Sequence, residues 1–174
     1  MTSVAGVAGV PATAGGFVLP GELRATMRRH AAGVAVITTR DKGPVGFCAT
    51  SLTSVSLEPP TVSFGVAMGS TSGRAWRGAA YGIVHLLGSD QADVAAAFSV
   101  TGPEKFAGPV GWRWGPGGQP LLDGVLAWML VSTRTRLVVG DHLLIVADVR
   151  ETAIEPGPGA GPLVHCDGRF LGLP

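Results

Sequence analysis

A mainly β fold, a barrel of short strands with a few short flanking helices, is what this sequence predicts, and three observations predict it. Roughly six or seven short runs rich in β-branched residues are each closed by a turn cluster. Segments with helical spacing are few and short. No G-x-G-x-x-G stands between a strand and a helix, since Gly157, Gly159 and Gly161 lie in a proline-rich stretch, so a βαβ dinucleotide-binding sheet is excluded.

The elements follow in order. Residues 1–20 are dominated by Ala, Gly, Val and Thr and are expected to form a flexible arm, with strand swapping in a dimer as the alternative; residues 21–174 form one domain. From Glu22 to His30, Leu23, Met27 and His30 share one side of a short helix that ends at Gly33. Val34 to Thr39 is β-branched and runs into the turn cluster Asp41-Lys42-Gly43-Pro44, a hairpin signal. Val45 to Ala49 is the next strand. The polar run Thr50 to Ser56 then stops at Glu58-Pro59-Pro60, because proline cannot donate to a central ladder.

Thr61 to Val66 and Tyr81 to Leu87 are further strands. Between them, Ser70, Thr71 and Ser72 are placed to cap a helix from Gly73 to Gly78. Ser89 or Asp90 caps a helix through Val94, Ala95 and Phe98. The tract Gly108 to Pro120, rich in glycine and proline with Trp112 and Trp114, reads as a long surface loop or irregular edge and a candidate lid. Val125 to Val139, Leu143 to Val149 and Leu163 to Cys166 complete the strands.

Composition narrows the function. The chain has 174 residues, enough for one core, with 14% charged and 46% hydrophobic residues, and so little charge favours a homo-oligomer that hides an apolar face. A net charge of +1 without a basic stripe argues against nucleic acid. No apolar run suggests a membrane span, and residues 1–20 lack the positive start of a signal peptide. Cys48 and Cys166 belong to no C-x-x-C pair, so no metal site is expected and a reducing, cytoplasmic setting fits. Walker, G-x-S-x-G and H-E-x-x-H motifs are absent.

Two hydroxyl runs remain, Thr50 to Ser56 and Ser70 to Ser72, each leaving a strand end. Hydroxyls beside free backbone N–H groups suit a phosphate. They equally suit the capping of turns, and the residues alone leave both readings open.

The stretch from Gly46 through Thr50-Ser51-Leu52-Thr53-Ser54 to Glu58-Pro59-Pro60 resembles the core motif of the short-chain flavin reductases that serve two-component flavin monooxygenases. Upstream, Leu23-Arg24-x-x-Met27 and Ala32 to Thr39 are similar to that family's opening helix and first strand. Downstream, Ser70-x-Ser72, Ser89-Asp90-Gln91, Ala97-Phe98, Lys105-Phe106, Gly140-Asp141-His142, Pro162 to His165 and Gly168-Arg169-Phe170 follow in the family's order.

The resemblance implies an FMN-binding split β-barrel, a homodimer, that passes a hydride from NADH or NADPH to FMN or FAD and supplies reduced flavin to a partner monooxygenase. It implies that Thr50, Ser51 and Ser54 line the ribityl chain and ring edge, with backbone from Phe64 to Ala67 beside the ring. Ser70, Thr71, Ser72 and Lys105, with Phe106 adjacent, hold the phosphate. His142, within Gly140-Asp141-His142, is the catalytic candidate and touches the nicotinamide nucleotide, with Arg169 and Phe170 nearby.

His85 stands where the family commonly has asparagine, and Trp128-Met129 where a smaller residue is usual; these departures bear on flavin choice and retention. Two alternatives accompany the reductase reading: a flavoprotein that retains FMN and acts on an organic substrate, and a non-catalytic flavin-binding barrel.

Overall fold

The structure, a computed structural model, describes residues 16–100, 102–108, 110–155 and 161–173. Most of the expected arm, residues 1–15, and part of the proline-rich stretch before Pro162 lie outside the described residues. The chain runs α1 (Pro20–Met27), β1 (Ala32–Gly33), β2 (Ala35–Arg40), β3 (Pro44–Ala49), β4 (Thr53–Leu57), β5 (Pro60–Ala67), α2 (Thr71–Trp76), β6 (Tyr81–Leu86) and α3 (Ala92–Ser99). Then come β7 (Trp112–Trp114), β8 (Pro120–Leu122), β9 (Ala127–Val139), β10 (His142–Ile154), β11 (Leu163–Cys166) and β12 (Arg169–Gly172).

Seven strands form one antiparallel sheet in the order β3-β2-β6-β9-β10-β5-β4, with β1-β11-β12 and β7-β8 as two small satellites. The large sheet curls until β3 faces β5, where the rings of Phe47 and Phe64 lie 6.3 Å apart. No ladder joins β3 to β5 among the described residues. That unpaired seam is the split of the barrel, and it gives the site its place.

Strand β2 shows why the sequence reads as a continuous apolar run rather than an alternating one. Its residues Ala35 to Thr39 are all buried, because both faces of the sheet are covered. Inside the barrel, Ala35 and Ile37 pack with Phe64, Trp76, Val84, Val131 and Ile145. Outside it, Val34 and Val36 pack with Phe98 of α3, Leu121 and Leu122 of β8, and Leu163 of β11. Burying each such side chain is worth about 1.5–3 kcal/mol, so the satellites are integral to the fold.

Several expectations are corrected. The Gly108 to Pro120 tract is not a loop or lid: Trp112–Trp114 and Pro120–Leu122 pair as a hairpin, and Leu121 and Leu122 are buried in the outer core. Glycine and proline content hid it, since they shape the short turn between the two strands. Neither Ser89 nor Asp90 caps α3. Gln91 is the N-cap residue and its Oε1 instead accepts from the Gly88 N–H at 3.0 Å, while Asp93 Oδ1 accepts from the Val94 N–H at 2.8 Å. Strand β10 runs five residues further than the expected end at Val149, to Ile154, as the partner of the long β9.

Helix α1 is present but has no buried residue, so its apolar side faces solvent in the single chain. Helix α2 begins at Thr71, two residues before the expected Gly73. Gly73 then sits so close to β5 that a Cβ there would lie 2.0 Å from the Ala67 carbonyl oxygen and 2.9 Å from Met68 Cα. No side chain fits, and this contact seats α2 on the strand end. Among the described residues, no helix is long and apolar enough to cross a membrane.

Candidate functional site

A cleft of about 580 Å³ opens at the seam between β3 and β5. Its apolar walls come from Phe47 and Val66 on the two strands and from Phe98 and Phe106, whose rings meet edge to face at 5.1 Å. Gly46 forms the floor under those rings: a Cβ there would come within 2.8 Å of Phe98 Cε1 and 3.2 Å of Phe106 Cζ. The missing side chain therefore leaves room for the aromatic wall.

The polar end is built by the chain leaving β5. Ser70 caps α2, its hydroxyl accepting from the Gly73 N–H at 2.9 Å and donating to the Ala67 carbonyl at 2.7 Å. Ser72 is buried and donates to the Gly46 carbonyl at 3.0 Å, which ties α2 across the seam to β3. Lys105 Nζ donates to the same carbonyl at 3.0 Å and lies 5.9 Å from the Phe98 ring centroid. Partial burial pulls the Lys105 ammonium below the ordinary lysine range. Thr71, exposed, completes this end of the cleft.

His142 joins the lining at the end of β5, beside the turn that carries Ser70. It opens β10, pairs with Ala67 across the ladder and lines the cleft. The tight turn at Gly140 and Asp141 precedes it, and the Met68 N–H donates to the Asp141 carbonyl at 3.0 Å. His142 Nδ1 donates to Asp141 Oδ1 at 2.7 Å, and that hydrogen bond holds the Asp141 carboxyl below its usual range. In the neutral ring, the proton on Nδ1 leaves Nε2 as the acceptor.

Of the residues singled out in the sequence, the cleft gathers Ala67, Ser70, Thr71, Ser72, Lys105, Phe106 and His142. Ser51 stands one step behind, accepting the Gly65 N–H at 3.0 Å, and so fixes the backbone of β5 where Gly65 lines the cleft. Thr50 and Ser54 are exposed, the first after β3 and the second on the edge strand β4, outside the lining. Arg169 and Phe170 lie on β12; Phe170 packs on the outer core and its ring is 5.4 Å from that of His165. Gly65, whose backbone was expected beside the ring, lines the cleft, and so do Gly46, Phe47 and Phe98, which had been given no role. Only tertiary contact assigns them, because glycine and phenylalanine carry no chemical signature of their own.

The two departures from the family pattern lie elsewhere. His85 is fully buried between β2 and β8, and the Trp128 indole donates to Glu155 Oε1 at 3.1 Å. Cys48 lines the cleft, and burial pushes its thiol up.

The fold and cleft together define a split β-barrel whose seam holds an apolar cleft with hydroxyls and a lysine at one end. Residues 27–174 match the flavin reductase like domain family. An NADH:FMN oxidoreductase of Rhodococcus qingshengii is 40% identical over 88% of this chain and 81% of its own. The reductase subunit of a flavin-dependent monooxygenase from Mycobacterium tuberculosis is 33% identical over 88% of this chain and 82% of its own. The crystal structure of a flavin reductase domain protein from Arthrobacter superposes with a TM-score of 0.82 at 34% identity, covering 90% of this chain and 96% of that one. The chain belongs to the flavin reductase like domain family.

Proposed function

We propose that this protein reduces free flavin with a nicotinamide nucleotide and hands the reduced flavin to a partner monooxygenase. The observation that carries this is the cleft itself, which sets an apolar slot of Phe47, Val66, Phe98 and Phe106 beside a polar, cationic end at Thr71 and Lys105. A flavin mononucleotide has the matching parts: a flat apolar tricycle, a hydrogen-bonding edge and a phosphate. The cleft volume of about 580 Å³ lies in the range of small-ligand sites.

When bound, the flavin would supply N5 as the acceptor of the hydride that the nicotinamide C4 gives up. The chain's part is positioning. The aromatic wall and β5 backbone hold the ring plane, with Ser51 bracing Gly65. Lys105 would supply charge at the phosphate end, and His142, which lines the cleft from the start of β10, would contact the nicotinamide nucleotide. The transfer needs no side-chain acid or base, so geometry carries the rate. Exposed Ala67 and Thr71 leave the cleft open along its edge, which suits a flavin that enters and leaves as a substrate.

The working form is a homodimer. Phe17 and Leu19 just before α1, and Leu23 and Met27 on it, are exposed, and an apolar strip of this kind is covered in a stable assembly. The free thiols Cys48 and Cys166 suit the reducing cytoplasm.

The test is the oxidation of NADH or NADPH by the purified protein with and without FMN, FAD or riboflavin. Oxidation that requires added flavin is the expected result. A protein that purifies with bound flavin and oxidises nothing further when flavin is added would overturn the exchange reading.

A further inference from the structure

Three hydroxyls line the polar end of the cleft, and their hydrogen bonds separate them. Ser70 has both roles occupied, donating to the Ala67 carbonyl and accepting from the Gly73 N–H. Ser72 gives its only proton to the Gly46 carbonyl. A phosphate dianion offers acceptors and no donors, so neither serine has a proton left for it.

Thr71 differs. Its Oγ1 accepts from Arg74 Nη2 at 3.1 Å, and no hydrogen bond among the described residues takes its proton. The other arm of the same guanidinium, Nη1, donates to the Gly69 carbonyl at 3.0 Å. The fork thus spans the turn from Gly69 to Thr71 and holds both ends. With one lone pair committed to Arg74, the Thr71 hydroxyl hydrogen must point away from the guanidinium, and Thr71 lines the cleft while Arg74 does not.

We propose that Arg74 is a positioning residue: it fixes Thr71 as the one hydroxyl donor that this turn presents to the phosphate of a flavin mononucleotide. The proposal rests on the flavin reading of the cleft. It also makes Ser70 and Ser72 structural, the first as a helix cap and the second as the tie across the seam. Lys105, with one N–H on the Gly46 carbonyl, keeps two others for the phosphate.

The experiment compares FMN with riboflavin, which lacks the phosphate, by quenching of flavin fluorescence and by KM and kcat with NADH. The proteins are wild type, Thr71→Val, Thr71→Ser, Arg74→Met, Ser72→Ala and the double variant Thr71→Val/Arg74→Met. Thr71→Val and Arg74→Met are expected to weaken FMN and raise its KM by about tenfold, as for a lost hydrogen bond to a charged group, while the affinity for riboflavin, which has no phosphate, shifts far less. Thr71→Ser retains FMN affinity, and the double variant is no weaker than Thr71→Val alone.

An Arg74→Met effect that persists undiminished in the Thr71→Val background would overturn the proposal, because Arg74 would then act by its own charge. So would loss of the FMN preference in Ser72→Ala but not in Thr71→Val, or equal affinity of the wild type for the two flavins. Binding with the expected preference but no NADH oxidation would refute the reductase reading and leave the Thr71 assignment standing.

Discussion

The imidazole Nε2 of His85 on β6 accepts the backbone N–H of Leu122 on β8 at 3.1 Å. The other ring nitrogen, Nδ1, lies 2.9 Å from the Val36 carbonyl on β2 and donates to it. Both bonds exist together only in the neutral ring with its proton on Nδ1. A second proton on Nε2 would face the Leu122 N–H inside the outer core.

Burial accordingly pulls His85 from the ordinary 6.5 down to about 4. The unfolded chain binds the proton more tightly, so stability is complete above about pH 6.5 and falls as the pH drops toward about 4, by up to about 3 kcal/mol. Urea unfolding of the wild type and of His85→Asn across that window should show a smaller acid loss in the variant. Identical profiles would mean that His85 does not carry the dependence.

Gly73→Ala should destabilise the protein by about 1–3 kcal/mol, since the new Cβ would lie 2.0 Å from the Ala67 carbonyl oxygen and the backbone on both sides must part. FMN binding should weaken with it, as α2 carries Thr71 and Ser72. Thermal unfolding and FMN titration together check this; an unchanged melting temperature would show that α2 is not seated by this contact.

Gly46→Ala acts on the other wall. Its Cβ would press on Phe98 and Phe106, whose rings can move, so the cost falls on the cleft more than on the fold. The KM for flavin should rise about tenfold, with a stability loss within about 1–3 kcal/mol. Steady-state kinetics with varied FMN read the first and calorimetry the second; a flavin KM equal to wild type would place the tricycle elsewhere.

His142→Ala removes the rim imidazole while leaving the phosphate end intact. The KM for NADH should increase by about tenfold, the scale of one lost hydrogen bond, with FMN affinity nearly unchanged. If the variant loses FMN and keeps its NADH kinetics, His142 faces the flavin instead.

Leu23→Asp with Met27→Asp places charge on the uncovered side of α1. Sedimentation should shift from a dimer to a monomer, with far-ultraviolet circular dichroism retained. A monomeric wild type would refute the assembly.

The β-rich class was legible because β-branched runs bounded by turn residues report local conformation directly, as from Ala35–Arg40 to Pro44–Ala49. The ordered motifs also pointed to the cleft residues Ser70, Thr71, Ser72, Lys105 and His142. What sequence alone left open was which hydroxyl could still donate: that depends on the Gly46 carbonyl reaching Ser72 from β3, 26 residues away. The Pro120–Leu122 strand was hidden for a related reason, since its pairing to Trp112–Trp114 and its burial against Phe98 and Leu163 are tertiary facts. Local spacing determines what a segment can become. Which donors are already satisfied, and which glycine is pressed against a neighbour, is decided only when distant strands meet.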